Sequence, residues 1–174
     1  MNNIEYFRNS EIMTLGEIIR YNNRRKIRKE NVAEHSFYVA TNVIRICARF
    51  NIPENIKLRC LELAIVHDIP EIFLGDVNYL VKRDNPNIAE ALEKAELEAL
   101  KKHMPEFFDA YLELTLKEKE NSLEARIVKL ADAISVLQYC TNEQLLGNTS
   151  IHINDILENA IERCLDGIRQ IEEV

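Results

Sequence analysis

Four side chains that can bind a metal or carry a proton lie within residues 66–76, VHDIPEIFLGD. They are the imidazole of His67 and the carboxylates of Asp68, Glu71 and Asp76, placed where an apolar, helix-forming stretch ends. Histidine nitrogens and carboxylate oxygens bind divalent metals, and carboxylic acids also transfer protons in catalysis. The same residues would suit a solvated helix end, where a histidine interacts favourably with the helix dipole. Residues elsewhere in the chain must decide between these two interpretations.

Two residues far from this stretch favour a metal site. Asp132 lies in RIVKLADAISVL, where its neighbours are apolar, and a buried carboxylate is costly unless it is paired, hydrogen-bonded or metal-bound. His35 lies near the start of an earlier predicted helix. Packing of three helices could bring His35, His67, Asp68 and Asp132 together. Taken singly, His35 could instead be a hydrogen-bonded core histidine, and Asp132 could be satisfied by a backbone amide or by Lys129.

A set of two imidazoles and two carboxylates suits one divalent transition metal, such as Co, Mn, Ni, Fe or Zn, better than calcium. Four protein ligands leave room for water and for a substrate oxygen. An ion held in this way can acidify the water and polarise a phosphoryl group. Glu71 is not needed as a ligand and could move a proton. Its offset of four residues from His67 predicts that both side chains lie on one helical face.

Caps and apolar spacing predict two of the helices that would carry these ligands. Asn31 followed by Glu34 has the pattern of a capping box, so a helix is expected to begin there. Its apolar residues recur at helical spacing: Val32, Tyr38 or Val39, Val43, Ile46 and Phe50. The next helix follows Pro53. The residues predicted to line its apolar face are Leu58, Leu61 and Ile65.

The rest of the chain also has helical spacing, and no segment alternates with the period of a strand. Residues 121–146 are apolar on more than one side, which predicts a central buried helix that ends at Gly147. Helices are further expected near the start and in residues 87–103, 105–116 and 152–171, with a loop over residues 74–86. Four glycines and four prolines are too few for a turn-rich β fold. The chain is therefore predicted to be all-α and a single domain over residues 1–174, with its four separated cysteines as buried free thiols.

The charge distribution bears on possible partners. The formal net charge of −7 disfavours broad binding to polymeric nucleic acid or to an anionic membrane. Residues 20–29, RYNNRRKIRK, nevertheless contain six basic residues and no acidic one, so this segment could attract a small anion or could simply form a solvated loop. Neither a signal peptide nor an apolar run of about 18 residues is present, so we expect a cytoplasmic location and no membrane span.

Three motifs together resemble the HD-domain phosphohydrolase superfamily. ENVAEHS, VHDIPEIFLGD and RIVKLADAIS contain, in order, the single histidine, the His-Asp pair and the distant aspartate of that superfamily. The resemblance spans roughly residues 10–140. It implies a compact helical HD domain and a single metal held by His35, His67, Asp68 and Asp132.

Within the superfamily, the chain looks most similar to the bacterial 5′-deoxynucleotidases and their small relatives. Arg20-Tyr21 stands fifteen positions before His35, where that family has an arginine followed by a tryptophan. The resemblance implies that Arg20 and Lys82 contact the phosphate or sugar and that Tyr21 packs on the sugar or base. Because Tyr21 replaces tryptophan, the resemblance does not imply strict discrimination between deoxyribose and ribose. The prolines common before the lysine are also missing.

The resemblance implies a metal-dependent enzyme that removes phosphate from (deoxy)nucleoside 5′-monophosphates. Glu71 would carry the proton, and Asp76 would orient or activate water or contact the sugar. A triphosphohydrolase acting on dNTPs is the alternative, since the arginines at 24, 25 and 28 favour room for further phosphates. A non-catalytic nucleotide-sensing module is a third possibility, which the presence of both carboxylates disfavours. Relatives are commonly dimers or larger, so a homo-oligomer is implied.

Overall fold

The computed structural model describes residues 3–8 and 10–173, and within them the chain is built from helices. They are α1 (Asn3–Arg8), a 3₁₀ helix (Glu11–Gly16), α2 (Val32–Arg49), α3 (Glu54–Val66), α4 (Glu71–Leu74), α5 (Tyr79–Asp84), α6 (Pro86–His103), α7 (Pro105–Lys119), α8 (Leu123–Leu145) and α9 (Ile151–Glu172). These residues form no β-strand, and one isolated antiparallel bridge joins Ile19 to Asn31. The prediction of an all-α fold is confirmed.

Helix α8 forms the centre of the main core, as the sequence predicted. It packs against α2, α3 and α9, and its buried residues line more than one of its sides. The core residues it shares with α2 and α3 include Val39, Val43, Leu63, Ile127 and Ala131. Gly147 follows the helix with φ of +94°, a conformation that glycine adopts without strain. The chain turns there and returns along α8 as α9.

The start of α2 also matches its prediction. Asn31 Oδ1 accepts a hydrogen bond from the Glu34 backbone N–H at 2.8 Å, which satisfies one of the unpaired donors at the helix end. Val32, Val39 and Val43 are fully buried. This helix therefore has a fixed start and a fixed inner face, and His35 lies in its first turns on that face. All four cysteines are buried and free, as predicted.

The predicted apolar face of α3 is wrong for two of its three residues, whereas Leu61 is partly buried against the main core. Leu58 and Ile65 are 59% and 54% exposed, whereas Cys60, Leu63 and Ala64 are fully buried. The segment has apolar residues on both sides, so spacing within the helix could not select the face that packs. Contact with α2 and α8 makes the selection instead.

The expectation that His67 and Glu71 share one continuous helix is also wrong. Helix α3 ends at Val66, and residues 67–70 form a turn before α4 begins. The Glu71 backbone N–H donates to the Asp68 carbonyl at 3.1 Å, which is the shorter 3₁₀-type spacing. Pro70 contributes no N–H and so cannot extend α3. The turn therefore places the His67–Asp68 pair at the end of α3 and Glu71 at the start of a separate helix, α4.

The predicted loop over residues 74–86 contains a helix. Gly75 ends α4 with φ of +73°, and α5 begins three residues after Asp76. Asn78 Oδ1 accepts a hydrogen bond from the Leu80 backbone N–H at 2.9 Å and caps the new helix. Polar and turn-forming residues on both sides of a short apolar run, residues 79–81, concealed this helix in the sequence.

We expect Leu63→Ala and Leu58→Ala to differ sharply, because the structure reverses their predicted burial. Leu63 is fully buried, so its truncation should lower the free energy of unfolding by about 2–5 kcal/mol. Leu58 is mostly exposed, and its truncation should change that free energy by less than about 0.5 kcal/mol. Urea denaturation followed by circular dichroism measures both. Equal losses in the two variants would contradict the observed orientation of α3.

Candidate active site

Three of the predicted metal ligands form a compact cluster. His35 Nε2 and His67 Nε2 lie 3.5 and 3.2 Å from Asp68 Oδ2, and one ligand atom from each residue lies within 4.8 Å of the others. Asp132 stands at the edge of this cluster, with its Oδ1 at 3.2 Å from His35 Nε2. Residues from α2, the turn after α3 and α8 therefore meet at one point.

The outward nitrogen of each histidine ring has a partner that orients it. His67 Nδ1 lies 2.7 Å from the Ala64 carbonyl, which can only accept a hydrogen bond, so Nδ1 is the protonated nitrogen that donates it. His35 Nδ1 lies 3.1 Å from Ser135 Oγ on α8. Contacts of this kind at Nδ1 are typical of metal-binding histidines, because they direct Nε2 towards the ion.

The inward nitrogens lack such partners. His35 Nε2 and His67 Nε2 are buried and have no hydrogen bond, although Asp68 Oδ2 is close to both. Leaving a buried polar atom unpaired is costly. An ion that accepts both lone pairs would remove this cost, and mixed nitrogen and oxygen donors suit a divalent transition metal. The residues present therefore fit the predicted cofactor.

Electrostatics within the cluster keep its carboxylates ionised. Burial alone would raise the pKa of Asp68, but His67, His35 and Arg20 lower it below its usual range. Burial lowers the pKa of His67, and Asp68 outweighs that effect and raises it to about 9. In the metal-free protein His67 is thus an imidazolium. Metal binding has to displace its proton, because only the neutral ring donates a lone pair.

Arg20 adjoins this cluster. Its Nη1 donates to Asp68 Oδ2 at 3.2 Å, and its Nε lies 3.6 Å from Glu30 Oε2. The side chain is 11% exposed. The predicted contact between Arg20 and a substrate stays a prediction, while the structure places its guanidinium directly on a predicted ligand.

Tyr21 and Asp76 are joined to each other. Tyr21 has φ of +53°, and its backbone N–H donates to Asp76 Oδ2 at 3.0 Å. The Tyr21 carbonyl accepts a hydrogen bond from Lys26 Nζ at 2.7 Å. Its ring stacks on Tyr139 of α8 with centroids 5.1 Å apart. Asp76 thus stabilises the left-handed backbone conformation of Tyr21, which residues other than glycine seldom adopt. Sequence reasoning missed this contact.

The basic segment, residues 20–29, is a loop as predicted, and a buried carboxylate holds it. Glu143 of α8 is fully buried and accepts hydrogen bonds from the backbone N–H groups of Ile27 and Arg28 at 2.7 and 2.6 Å. Asn148 Nδ2 donates to the same carboxylate at 2.6 Å. These bonds fix the loop that follows Tyr21 against the end of α8.

Lys82 is not brought to the cluster by any described contact. Its Nζ lies 3.2 Å from Glu96 Oε1 on α6, and the other oxygen of Glu96 accepts a hydrogen bond from Tyr111 Oη at 2.6 Å. The side chain is 38% exposed. Its predicted role in phosphate binding therefore stays a prediction.

Glu71 has the environment of a carboxylic acid that keeps its proton. Its Oε2 is buried without a hydrogen-bond partner. Burial, with the nearby charges of Asp68 and Asp76, raises the pKa of Glu71 to about 9. At neutral pH it can therefore donate a proton, which is the task of a general acid.

Arg163 of α9 is a residue of this region that sequence reasoning missed. Its Nη2 donates to Asp132 Oδ2 at 2.7 Å, and its Cζ lies 5.4 Å from the centre of the Tyr79 ring. The surrounding residues, ENAIERCL, contain no motif. Only the packing of α9 on α8 reveals the contact.

An all-α fold that gathers a histidine, a His-Asp pair and a distant aspartate defines an HD-domain phosphohydrolase. Solved structures share this fold. An HD-domain phosphohydrolase from Listeria innocua has a TM-score of 0.74 at 23% identity, over 92% of this chain and 79% of that chain. A cyanophage S-2L HD phosphohydrolase, solved with dA and one catalytic Zn²⁺, has a TM-score of 0.71 at 18% identity, over 94% and 96% of the two chains.

Sequence comparison identifies the family. The sequence model of the YfbR-like 5′-deoxynucleotidase family matches residues 6–173, and the chain belongs to this family. The 5′-deoxynucleotidase of Photorhabdus temperata is 32% identical over 139 residues, 74% of this chain and 69% of the relative. That of Yersinia pseudotuberculosis is 32% identical over 161 residues, 86% and 78%. The predicted family and enzyme class are confirmed. Among the described residues, no helix combines the length and apolarity needed to cross a membrane.

We expect His67→Ala to remove the metal, because it deletes one of the two convergent Nε2 atoms. Elemental analysis of the purified protein should find one transition-metal ion per chain in the wild type and little in the variant. His152→Ala is the matched control, since His152 is an exposed histidine on α9. Full metal occupancy in His67→Ala would show that this ring is not a ligand.

Proposed function

We propose that this enzyme hydrolyses deoxynucleoside 5′-monophosphates to deoxynucleosides and phosphate, with one divalent transition metal. The observation that carries the proposal is the pair of buried, unpartnered Nε2 atoms of His35 and His67 beside the Asp68 carboxylate. Family membership supports the substrate, because the relatives are named 5′-deoxynucleotidases.

In this proposal His35, His67, Asp68 and Asp132 hold the ion. When bound, the ion supplies Lewis-acid chemistry, which polarises a phosphoryl oxygen and acidifies water. Asp132 reaches the cluster through Oδ1, the oxygen that is not bonded to Arg163. The chain's own residues must then position the nucleotide and supply the proton.

Glu71 protonates the leaving group in the proposed reaction. Water adds to phosphorus, and the bond between phosphorus and the 5′-oxygen breaks. The 5′-oxygen takes the proton of Glu71, and the proton that the attacking water loses returns to the Glu71 carboxylate, so the products are a nucleoside and inorganic phosphate and the acid is restored. A carboxylic acid that is neutral at pH 7 is suited to this step because burial has raised its pKa.

Arg20 and Tyr21 border the site on the side of the basic loop. Arg20 is held by Asp68 and Glu30 and so has a fixed position next to the ion site. Its planar guanidinium can bind a phosphate oxygen through the N–H groups that do not donate to Asp68. Tyr21, fixed by Asp76 and stacked on Tyr139, offers an aromatic surface for the sugar.

The dNTP triphosphohydrolase alternative has less support. It relies on further arginines of the basic loop to bind additional phosphates. Of the three, Arg28 is already engaged by Tyr38 Oη at 3.3 Å and Glu34 Oε2 at 3.5 Å, which leaves Arg24 and Arg25 for this task. The sensing alternative is disfavoured by Glu71, which keeps the buried environment of a catalytic acid. A single domain over residues 1–174, a homo-oligomer, a cytoplasmic location and the lack of polymeric nucleic-acid binding stay predictions.

A product assay tests the proposed function directly. Metal-loaded enzyme should release phosphate from dAMP, and AMP measured in parallel reports how well Tyr21 replaces tryptophan in sugar discrimination. With dATP we expect little product. Release of triphosphate from dATP at a rate above that from dAMP would establish the alternative reaction, and inactivity on all three across Mn, Co, Ni and Zn would favour the sensing module.

We expect Glu71→Gln to slow hydrolysis of dAMP by about 10²–10⁴-fold, the usual contribution of general acid catalysis. The loss should be far smaller with p-nitrophenyl phosphate, whose leaving group needs no proton. In the wild type, kcat for dAMP should fall as pH rises through the pKa of Glu71, because the acid loses its proton, and the variant should lack this alkaline limb. Glu98→Gln, an exposed glutamate of α6, is the control.

A contradictory result would be an equal loss on both substrates. Glu71 would then act in binding or in positioning the water rather than in protonating the leaving oxygen.

A further inference from the structure

Arg163 holds one oxygen of a predicted metal ligand and leaves the other turned towards the metal site. Asp132 Oδ2 accepts a hydrogen bond from Arg163 Nη2 at 2.7 Å, while Asp132 Oδ1 lies 3.2 Å from His35 Nε2. A carboxylate without the outer bond could rotate about its terminal torsion, which is broad for aspartate. The bond therefore selects which oxygen meets the ion.

Tyr79 also contacts the guanidinium. The Arg163 Cζ lies 5.4 Å from the centre of the Tyr79 ring, within the range of a cation–π contact. Tyr79 is the first residue of α5, the helix that follows the Gly75 turn. Arg163 thus contacts an aromatic ring from α5 and a carboxylate from α8, and its side chain is 29% exposed.

The close approach of α9 to α8 places Arg163 at this distance. Gly167 lies four residues after Arg163 on α9, and a Cβ added there would stand 3.1 Å from Leu130 Cδ1. Ala160 and Cys164, the small neighbours on the same helix, are also buried. Small residues let the two helices pack tightly next to Asp132, so the arginine reaches its carboxylate.

We propose that Arg163 is a positioning residue of the metal centre, which orients Asp132 for the ion and is itself held by Tyr79. This proposal rests on the proposed function, because it needs a metal bound by Asp132. Loss of a residue that hydrogen-bonds a metal ligand commonly lowers metal affinity by about 10–100-fold. The guanidinium is suited to the task because it remains charged at any pH of interest and presents its donors in one plane.

Two physical effects of removing Arg163 have opposite signs, which makes the proposal testable. The loss of a positive charge beside Asp132 should by itself strengthen the attraction for a cation. The loss of orientation should weaken binding, because Asp132 no longer presents one fixed oxygen. We expect orientation to dominate, so removal of the side chain's donors should lower metal affinity.

The experiment measures the affinity of metal-free protein for Co²⁺ by competition with a chelator, in the absence of nucleotide. Arg163→Met should bind Co²⁺ about 10–100-fold more weakly and with an altered visible absorption spectrum. Arg163→Lys keeps one charged donor, so its affinity for Co²⁺ should lie between those of Arg163→Met and the wild type. Tyr79→Leu should weaken binding, and Tyr79→Phe should not, because the contact uses the ring.

Arg169→Gln is the matched control, since Arg169 lies on the same helix and is exposed. Thermal unfolding of each metal-free variant checks that it folds. If Arg163→Met does not fold, Arg163→Lys and the two Tyr79 variants still test the proposal. Wild-type affinity and spectrum in Arg163→Met, or tighter binding, would overturn the proposal. An increase in KM for dAMP alone would do so as well, because it would make Arg163 a substrate contact.

The outcome separates this inference from the proposed function. If His67→Ala loses Co²⁺ while the Arg163 variants bind it normally, the metal site stands and the positioning role fails. If the wild type binds metal with the expected dependence on Arg163 but hydrolyses no nucleotide, the positioning role stands and the proposed function fails.

Discussion

The burial of two imidazole nitrogens without hydrogen-bond partners is the constraint on which the site depends. An unpaired polar atom in a protein interior costs about 1–3 kcal/mol, and His35 Nε2 and His67 Nε2 lie side by side in this condition. Ser135 and the Ala64 carbonyl contact the Nδ1 atom of each ring. Neither ring can therefore rotate to pair its Nε2 atom without breaking the contact at Nδ1. Helix packing therefore holds two ring nitrogens aimed at one point beside the Asp68 carboxylate, an arrangement that a bound cation or a proton stabilises.

Local signals explain how much of the fold could be predicted from the sequence. The Asn31 cap, the apolar spacing of α2 and the Gly147 turn each involve residues within a few positions of one another, and each was predicted correctly. The face of α3 was not, because Leu58 and Leu63 are equally apolar and only the neighbouring helices distinguish them. Periodicity identifies a helix, and tertiary packing decides which of two apolar sides is buried.

The site shows the same division between local and distant information. The histidines and aspartates were recognised because their motifs resemble those of a family, and the structure brings them together. The supporting contacts had no such signal. Arg163 reaches Asp132 across 31 positions, Asp76 reaches Tyr21 across 55, and Glu143 reaches Ile27 across 116. Sequence spacing reports on neighbours three or four residues apart, so contacts over these separations require the folded chain.

Two arginines from opposite ends of the chain give the site its electrostatic character. Arg20 contacts Asp68 and Arg163 contacts Asp132, so each carboxylate of the predicted ligand set is offset by a guanidinium. Burial also raises the pKa of Glu30, the other partner of Arg20, to about 7, so it is only partly ionised at neutral pH. The charge of a divalent ion is then largely available to the substrate.

A phosphate monoester carries about two negative charges at neutral pH, which such an ion can offset. A triphosphate carries more and would need cations from outside the ligand set, such as Arg24 and Arg25, because Arg28 of the basic loop already pairs with Glu34. The balance of charge within the site therefore favours the monophosphate.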